Sequence, residues 1–420
     1  MLQACQTMRR EPRLRPHIVI INRWRERYAD YAGYLDHRVN RVSYITTEVG
    51  LASVPQAAND VLLVAATDDL ESVRRRLREL VSRYGKPDAI IALKEDDLLV
   101  AAALRAEWDC PGQRAEELIG FRDKYVMSRL IARAGLPVPA FGLAADAQQV
   151  ADFAAVHGWP VIVKPRCGSS SEGVVQASEP ADLVGVSFEE PLLVQEYNPN
   201  PIYHVDGVFT APGLVQCRAS RYVNTCLGFR SGSFLGSVEE DDPVVNSVIA
   251  AAAEKYMSAL TNRPTAFHLE VFVDSAGPSC VFLEVGARVG GAEIPFVWRE
   301  VHGYDLMEAA FRIQLGLPVA EGPPTPARGG VGGWLLIPTP LTRPCRITEA
   351  TSMVGRRPGP YAEALLRPGE VLPLADAYYE HVGGRFRFCE SSSHAVEQAI
   401  VATAAAFRVA AEPIELVTSG

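Results

Sequence analysis

The sequence predicts an α/β protein of several packed lobes, and three observations carry that prediction. Short β-branched runs alternate with a segment of helical period near the start of the chain. Further on, two apolar strands flank a short polar turn, the pattern of an antiparallel hairpin. A chain of 420 residues exceeds one ordinary core and suits two or three.

Taken in order, residues 17–21 form an apolar, β-branched run that reads as a buried strand of a parallel sheet. Residues 41–45, 61–64 and 88–92 read likewise. Between the last two, Leu70, Val73, Leu77, Leu80 and Val81 recur at helical spacing. After the first strand stands Ile21-Asn22-Arg23-Trp24 rather than G-x-G-x-x-G, so no dinucleotide is indicated there. Phe121 to Lys124 lead into a helix carrying Val126, Met127, Leu130 and Ile131, which Gly135, Pro137 and Pro139 bring to an end. Residues 160–164 are a strand that runs into a small-residue loop, 166–173. Strands follow at 174–177 and 192–197. Residues 205–237 alternate as antiparallel sheet, and 244–260 form a long helix. Residues 266–273 and 279–285 make the hairpin around 274–277, and 304–315 form a helix stopped by Gly316. A Pro- and Gly-rich stretch, 320–333, predicts a linker. A last lobe then begins near Gly330, with strands at 334–337 and 385–389 and a helix at 396–407.

Composition narrows the function. The formal charge of −9 argues against nucleic acid as the main partner, because phosphate binding needs clustered cations. The eight cysteines form no CxxC pair, so a zinc site or disulfide framework is not expected and a reducing compartment fits. No apolar run approaches the ~20 residues that span a bilayer. The basic start of the chain lacks an apolar signal segment, and the expected location is the cytoplasm.

Three constellations carry chemistry. In Phe267-His268-Leu269-Glu270 and Phe282-Leu283-Glu284-Val285-Gly286-Ala287-Arg288-Val289-Gly290-Gly291, a carboxylate interrupts each apolar strand. Such a carboxylate is costly unless it is paired or binds a cation. Facing each other across a hairpin, Glu270 and Glu284 would suit Mg²⁺ bridging nucleotide phosphates, with Arg288 beside the transferring group. An internal Glu–Arg salt bridge is the competing reading. Second, Lys124 opens a helix and Lys164 ends a strand just before the Gly/Ser loop, whose N–H groups and hydroxyls can wrap phosphates. The loop is not a Walker A motif, and a plain hairpin turn is its alternative. Third, Val194-Gln195-Glu196-Tyr197 is a strand stopping at a bend, which can offer backbone groups to an adenine edge; otherwise Tyr197 is core.

From about residue 115 to 318, the order of these pieces resembles the ATP-grasp superfamily. The whole chain is similar to its carboxylate–amine ligase branch, in particular to amino-acid ligases that make dipeptides. The resemblance implies an ATP-grasp fold with a Rossmann-like lobe over 1–115, a lid subdomain over 116–200, a large subdomain over 201–329 and a C-terminal α/β lobe over 330–420. It implies that Lys124 and Lys164 bind ATP phosphates, with Lys164 also serving catalysis. Gly168, Ser169, Ser170, Ser171 and Gly173 would form the mobile loop over the phosphates. Glu196 and the Tyr197 backbone would meet adenine, and Glu270 and Glu284 would hold Mg²⁺, with Mn²⁺ as its substitute. Arg288 would stabilise the acyl phosphate and the tetrahedral intermediate, and Gly290 and Gly291 would border the substrate. Glu95, in Lys94-Glu95-Asp96-Asp97, would bind a substrate amine, unless this cluster only caps a helix.

The sequence departs from the family in two places. Gly286 stands where many relatives have a metal-binding Asn, and Ile202 replaces the usual ribose-binding acid. Arg218 and Arg221 add phosphate or substrate charge, or make surface salt bridges; His302 and Asp305 are expected to cap the following helix. The implied activity is ATP-dependent ligation of a small-molecule carboxylate to an amine, an amino acid among them, through an acyl phosphate with release of ADP and phosphate. Transfer to a carrier-protein thiol and a non-catalytic nucleotide-binding protein are the alternatives. The last lobe either walls the substrate pocket or covers apolar surface and makes a homodimer contact.

Overall fold

The computed structural model describes residues 15–24, 28–169, 171–274, 277–320, 328–340, 342–374 and 382–414. Ser170, the turn at 275–276 and much of the 320–333 linker lie outside the described residues. The chain divides into two compact units, Met1–Ala115 with Phe311–Pro318, and Glu116–Ala310 with Val319–Gly420. Among the described residues no helix is long and apolar enough to cross a membrane.

The first unit contains β1 (His17–Asn22), α1 (Tyr31–Tyr34), β2 (Arg41–Thr46), β3 (Asp60–Leu63), α2 (Leu70–Tyr84), β4 (Ala89–Ala92) and α3 (Leu98–Glu107). The sheet is parallel, in the order β3-β2-β1-β4. Every residue of β1 and β4 is buried, which explains why these strands read as unbroken apolar runs. Val73, Leu77 and Leu80 of α2 and Ala101 and Leu104 of α3 pack on Val19, Ile21 and Ile90. Helix α3 escaped the sequence reading because Leu98 to Ala103 are apolar on all sides, so no 3.6-residue period marks them. Its N-terminal Asp97 makes no side-chain cap. The capping alternative for 94–97 therefore does not describe Asp97, which is fully buried, and burial pushes its carboxyl up to about 7 against the pull of Arg23 and Lys94.

The second unit opens with α4 (Ala115–Leu118) and α5 (Lys124–Arg133). A four-stranded antiparallel sheet follows, β5 (Phe141–Ala144), β6 (Val161–Lys164), β7 (Val175–Ala177) and β8 (Leu192–Glu196), in the order β5-β8-β6-β7. Helix α6 (Ala147–His157) packs Val150 and Ala154 on one face of it, against Val161, Val163, Leu192 and Val194. Alternation along the strands puts Ile162, Lys164, Leu193 and Gln195 on the other face.

The larger sheet holds β9 (Ile202–Thr210), β10 (Gly213–Val223), β11 (Leu235–Glu239), β12 (Thr265–Asp274) and β13 (Ser279–Gly286), with the helices α7 (Cys226–Arg230), α8 (Pro243–Leu260), α9 (Ile294–His302) and α10 (Leu306–Gln314). The expected antiparallel stretch 205–237 is interrupted by α7, whose N-cap Thr225 accepts from the Gly228 N–H. The chain then adds β14 (Val331–Ile337), β15 (Cys345–Ala350), β16 (Ala362–Leu365), β17 (Val371–Leu372), β18 (Gly384–Glu390), α11 (Ser393–Ala406) and β19 (Val409–Pro413). Strands β17-β15-β19 form a small separate sheet.

The strands after Gly330 continue the large sheet: β14 lies between β11 and β18 in the order β13-β12-β9-β10-β11-β14-β18-β16. Helix α11 covers this junction, with Val396, Ala399 and Ile400 against Val238, Leu335, Phe386 and Phe388. Gly333 permits the approach, since a Cβ there would stand 2.4 Å from Val396 Cγ1. A chain cut at Gly330 is therefore expected to lose solubility, because β11 becomes an open edge and Val238 loses its cover. Size-exclusion chromatography and thermal unfolding check this; a monomeric fragment with cooperative melting would refute it.

Candidate active site

The antiparallel register of β12 and β13 sets Glu270 directly opposite Glu284, so both carboxylates emerge on one face. A register shift falls just after Glu270, between it and Val271. Lys124, the first residue of α5, brings its Nζ to 3.6 Å from Glu284 Oε2 and donates to the Gly168 carbonyl at 3.0 Å. Lys164, at the end of β6, is only 4% exposed. Burial lowers its pKa; the Glu284 and Glu270 carboxylates resist that shift and Lys124 adds to it. Two lysines and two glutamates thus share one electrostatic neighbourhood. The donor set of two hard carboxylate oxygens fits Mg²⁺. Arg288 follows β13, donates to the Val289 carbonyl at 3.2 Å and is half-buried.

The Gly/Ser loop is fastened at its base. Asp123 caps α5 by accepting from the Tyr125 and Val126 N–H groups, and it also accepts from Arg166 Nε at 3.3 Å. The Lys124 N–H donates to the Arg166 carbonyl at 2.8 Å. Beyond this anchor, Gly168 has φ 143° and open space around it, Ser169 is half-buried, and Ser171 and Gly173 have φ 55° and 68°. Positive φ at these points suits the small residues found there.

At the end of β8, the Glu196 carboxylate accepts from the Ala140 N–H at 3.2 Å, and its own N–H donates to the Ala140 carbonyl at 2.8 Å. Tyr197 is 37% exposed, so the core alternative for it fails. Gln195 is buried, and among the described residues its amide nitrogen has no hydrogen-bond partner. It shares the Lys164 face of the small sheet. An orphaned buried donor beside Lys164 is what a polar ligand edge could satisfy.

A buried polar network adjoins the carboxylates, and the sequence reading did not foresee it. Asp206 accepts from His204 Nδ1 at 2.6 Å and from His268 Nδ1 at 2.9 Å. His204 Nε2 meets Ser237 Oγ at 2.6 Å, and the Tyr222 hydroxyl donates to Glu270 Oε1 at 2.8 Å. His268 Nε2 stands 3.6 Å from the same oxygen. Burial would lower the His268 imidazole, but the Asp206 carboxylate outweighs it and pushes it up to about 9. Burial likewise opposes ionisation of Asp206, yet the two imidazoles hold it below the ordinary carboxylate range. The donor atoms of His204, Asp206 and His268 lie within 4.8 Å of one another, as in a metal site. Their 2.6 and 2.9 Å separations are hydrogen-bond lengths, and every buried ring nitrogen already faces a polar atom. The available signal was the i, i+2 spacing of His204 with Asp206 and of His268 with Glu270, which puts each pair on one strand face.

Other expected site residues separate. A Cβ on Gly290 would lie 2.4 Å from Asp206 Oδ1 and 2.9 Å from His268 Nδ1, whereas one on Gly291 would meet nothing within 4 Å. Gly290 therefore closes over the network, and Gly291 borders open space. His302 is no helix cap: its Nε2 meets Glu239 Oε1 at 2.7 Å. Asp305 does cap α10, accepting from the Met307 and Glu308 N–H groups. Arg221 pairs with Glu397 of α11 at 2.7 Å, the salt-bridge alternative, and Arg218 is exposed. Glu95 lies in the first unit, half-buried in a short turn after β4.

Residues 121–201 match the RimK-like ATP-grasp domain. An L-arginine-specific L-amino acid ligase of Bacillus subtilis is 22% identical over 291 residues, covering 65% of this chain and 68% of the ligase. The structure of an L-amino acid ligase from Bacillus licheniformis superposes with a TM-score of 0.71 at 16% identity, over 95% of this chain and 99% of that one. N5-carboxyaminoimidazole synthetase from Staphylococcus aureus, solved with ADP, gives 0.64 at 14% identity, over 93% and 97%. With this domain match and these fold neighbours, the chain has the ATP-grasp fold and resembles the carboxylate–amine ligases of that superfamily, L-amino acid ligases among them.

Proposed function

We propose that this protein is an ATP-dependent carbon–nitrogen ligase that activates a small-molecule carboxylate as an acyl phosphate and joins it to an amine, with an amino acid as a substrate. The observation that carries the reading is the meeting of Glu270 and Glu284 across one hairpin, with Lys124 3.6 Å from Glu284 and Lys164 buried in the same field. A plain internal salt bridge explains two of these groups; it does not explain four beside an anchored Gly/Ser loop.

The roles follow from position. Lys124 and Lys164 neutralise phosphate charge, and the loop from Gly168 to Gly173 supplies N–H and hydroxyl donors. Gln195, Glu196 and the Tyr197 backbone meet the base. Glu270 and Glu284 would hold Mg²⁺, which would supply further charge neutralisation at the phosphates. The substrate carboxylate oxygen forms a bond to the γ-phosphorus as the bond to ADP breaks. The amine then adds to the acyl carbon, phosphate leaves, and the amine's proton passes to solvent. Arg288 offers its guanidinium to the charge that develops on the acyl oxygen. Gly291, which borders open space after Arg288, is the proposed substrate contact.

Release of ADP from purified protein, ATP and Mg²⁺, measured across pairs of amino acids, tests the proposal. Release is expected to require both a carboxylate and an amine, with a product whose mass equals their sum less one water. ATP consumption that is indifferent to the amine, or absent with every pair, would count against it.

A further inference from the structure

The buried network beside Glu270 has no part in the chemistry above, yet it touches the carboxylate on which that chemistry depends. We propose that Tyr222 and the chain Ser237–His204–Asp206–His268 are positioning residues that orient Glu270 as a metal ligand, an inference that rests on the reading of Glu270 as one.

The geometry is one-sided. Tyr222 donates to Glu270 Oε1 at 2.8 Å and His268 Nε2 faces that oxygen at 3.6 Å, while among the described residues Oε2 takes no hydrogen bond. One oxygen is thereby fixed by the protein and the other is left for a cation. A ligating carboxylate needs such outer support, because its own side-chain torsions would otherwise let it swing. The support is itself supported. The His268 ring is held through Nδ1 by Asp206 Oδ1; the other oxygen of Asp206 is held by His204; His204 is held by Ser237 on β11. The His204 ring also lies 4.9 Å from Tyr222 and 6.2 Å from Trp334 of β14, so both supports of Glu270 meet at one imidazole. His204, Asp206, Ser237 and His268 are all less than 10% exposed, and Gly290 closes the network without a side chain. Five strands of the large sheet, β9 to β12 and β14, thus meet around one carboxylate. Apolar residues of similar volume would fill this space without desolvating a buried Asp, so packing alone does not account for the arrangement.

Mn²⁺ binding to the full-length protein with a non-hydrolysable ATP analogue, read by the electron paramagnetic resonance of free Mn²⁺, provides the test. Nucleotide binding in EDTA is measured alongside it. Tyr222→Phe and Asp206→Asn are expected to weaken Mn²⁺ binding about 10-fold or more while metal-free nucleotide binding stays unchanged. Tyr222→Phe removes one hydroxyl and no bulk, so it retains the fold even where Asp206→Asn does not. Glu270→Gln tests the underlying reading: unchanged Mn²⁺ affinity there removes Glu270 from the metal site. Weakening by Glu270→Gln with wild-type affinity in Tyr222→Phe overturns the positioning role alone. Nucleotide-independent Mn²⁺ binding that His204→Gln abolishes would also overturn it, and would make the cluster a metal site in its own right.

Discussion

Glu284→Gln is expected to lower turnover by about 10²–10³-fold or more while the protein stays folded. The substitution keeps the volume of the side chain and removes the charge that faces Glu270 across the hairpin and Lys124 at 3.6 Å. With that charge gone, the cation loses one of its two proposed carboxylate ligands, and Lys164 loses the larger of the two carboxylate fields that sustain its ammonium. Stability should change little. The Glu284 side chain is 35% exposed, and an ion pair screened to that degree contributes about 1 kcal/mol or less. The check is a coupled assay of ADP release beside a thermal melt. Near-normal turnover at saturating ATP and Mg²⁺ would sink the metal assignment.

Gly290→Ala is expected to destabilise the protein by about 1–3 kcal/mol and to reduce turnover, whereas Gly291→Ala should leave stability within about 0.5 kcal/mol. The two glycines are neighbours in sequence, yet a Cβ on Gly290 would press to 2.4 Å on Asp206 Oδ1 and 2.6 Å on Ile294 Cδ1, while one on Gly291 has open space. Nothing there can yield at low cost: Asp206 is pinned by two imidazoles, and Ile294 is buried at the start of α9. Displacing Asp206 should travel through His268 to Glu270. Denaturant unfolding of both variants, with ADP release for Gly290→Ala, reads this directly. Equal stability of the two would mean that the loop after Arg288 can shift freely.

Lys164 and the two glutamates stood out in the chain because each breaks a local rule, a charge in an apolar strand or a lysine against a run of small residues; Lys124 only opens a helix, and the resemblance alone singled it out. The hairpin that carries the glutamates was legible because its strands are contiguous, but their exact pairing was not: the register counted from the turn would set Glu270 opposite Leu283, and the shift between Glu270 and Val271 brings it to Glu284. Helices α6 and α9 were missed. Helix α9 spans only nine residues and buries seven of them, so Arg299 and Glu300 alone mark its polar side, too short a pattern to read as a helical period.

What the sequence by itself determined is therefore local: which segments alternate, where a strand carries a carboxylate, and that Asp305 caps the helix that follows it. What only the tertiary structure decided is long-range. Asp206 and His268 are 62 residues apart, and His204 and Ser237 are 33 apart, so their hydrogen bonds exist only once β9, β11 and β12 share a sheet. The pairing of β14 with β11 and β18, which carries the last part of the chain into the large sheet, is of the same kind. Backbone pairing between distant strands leaves little trace in sequence, because any extended segment can donate and accept. The choice of partner is made by side-chain packing across the assembled sheet.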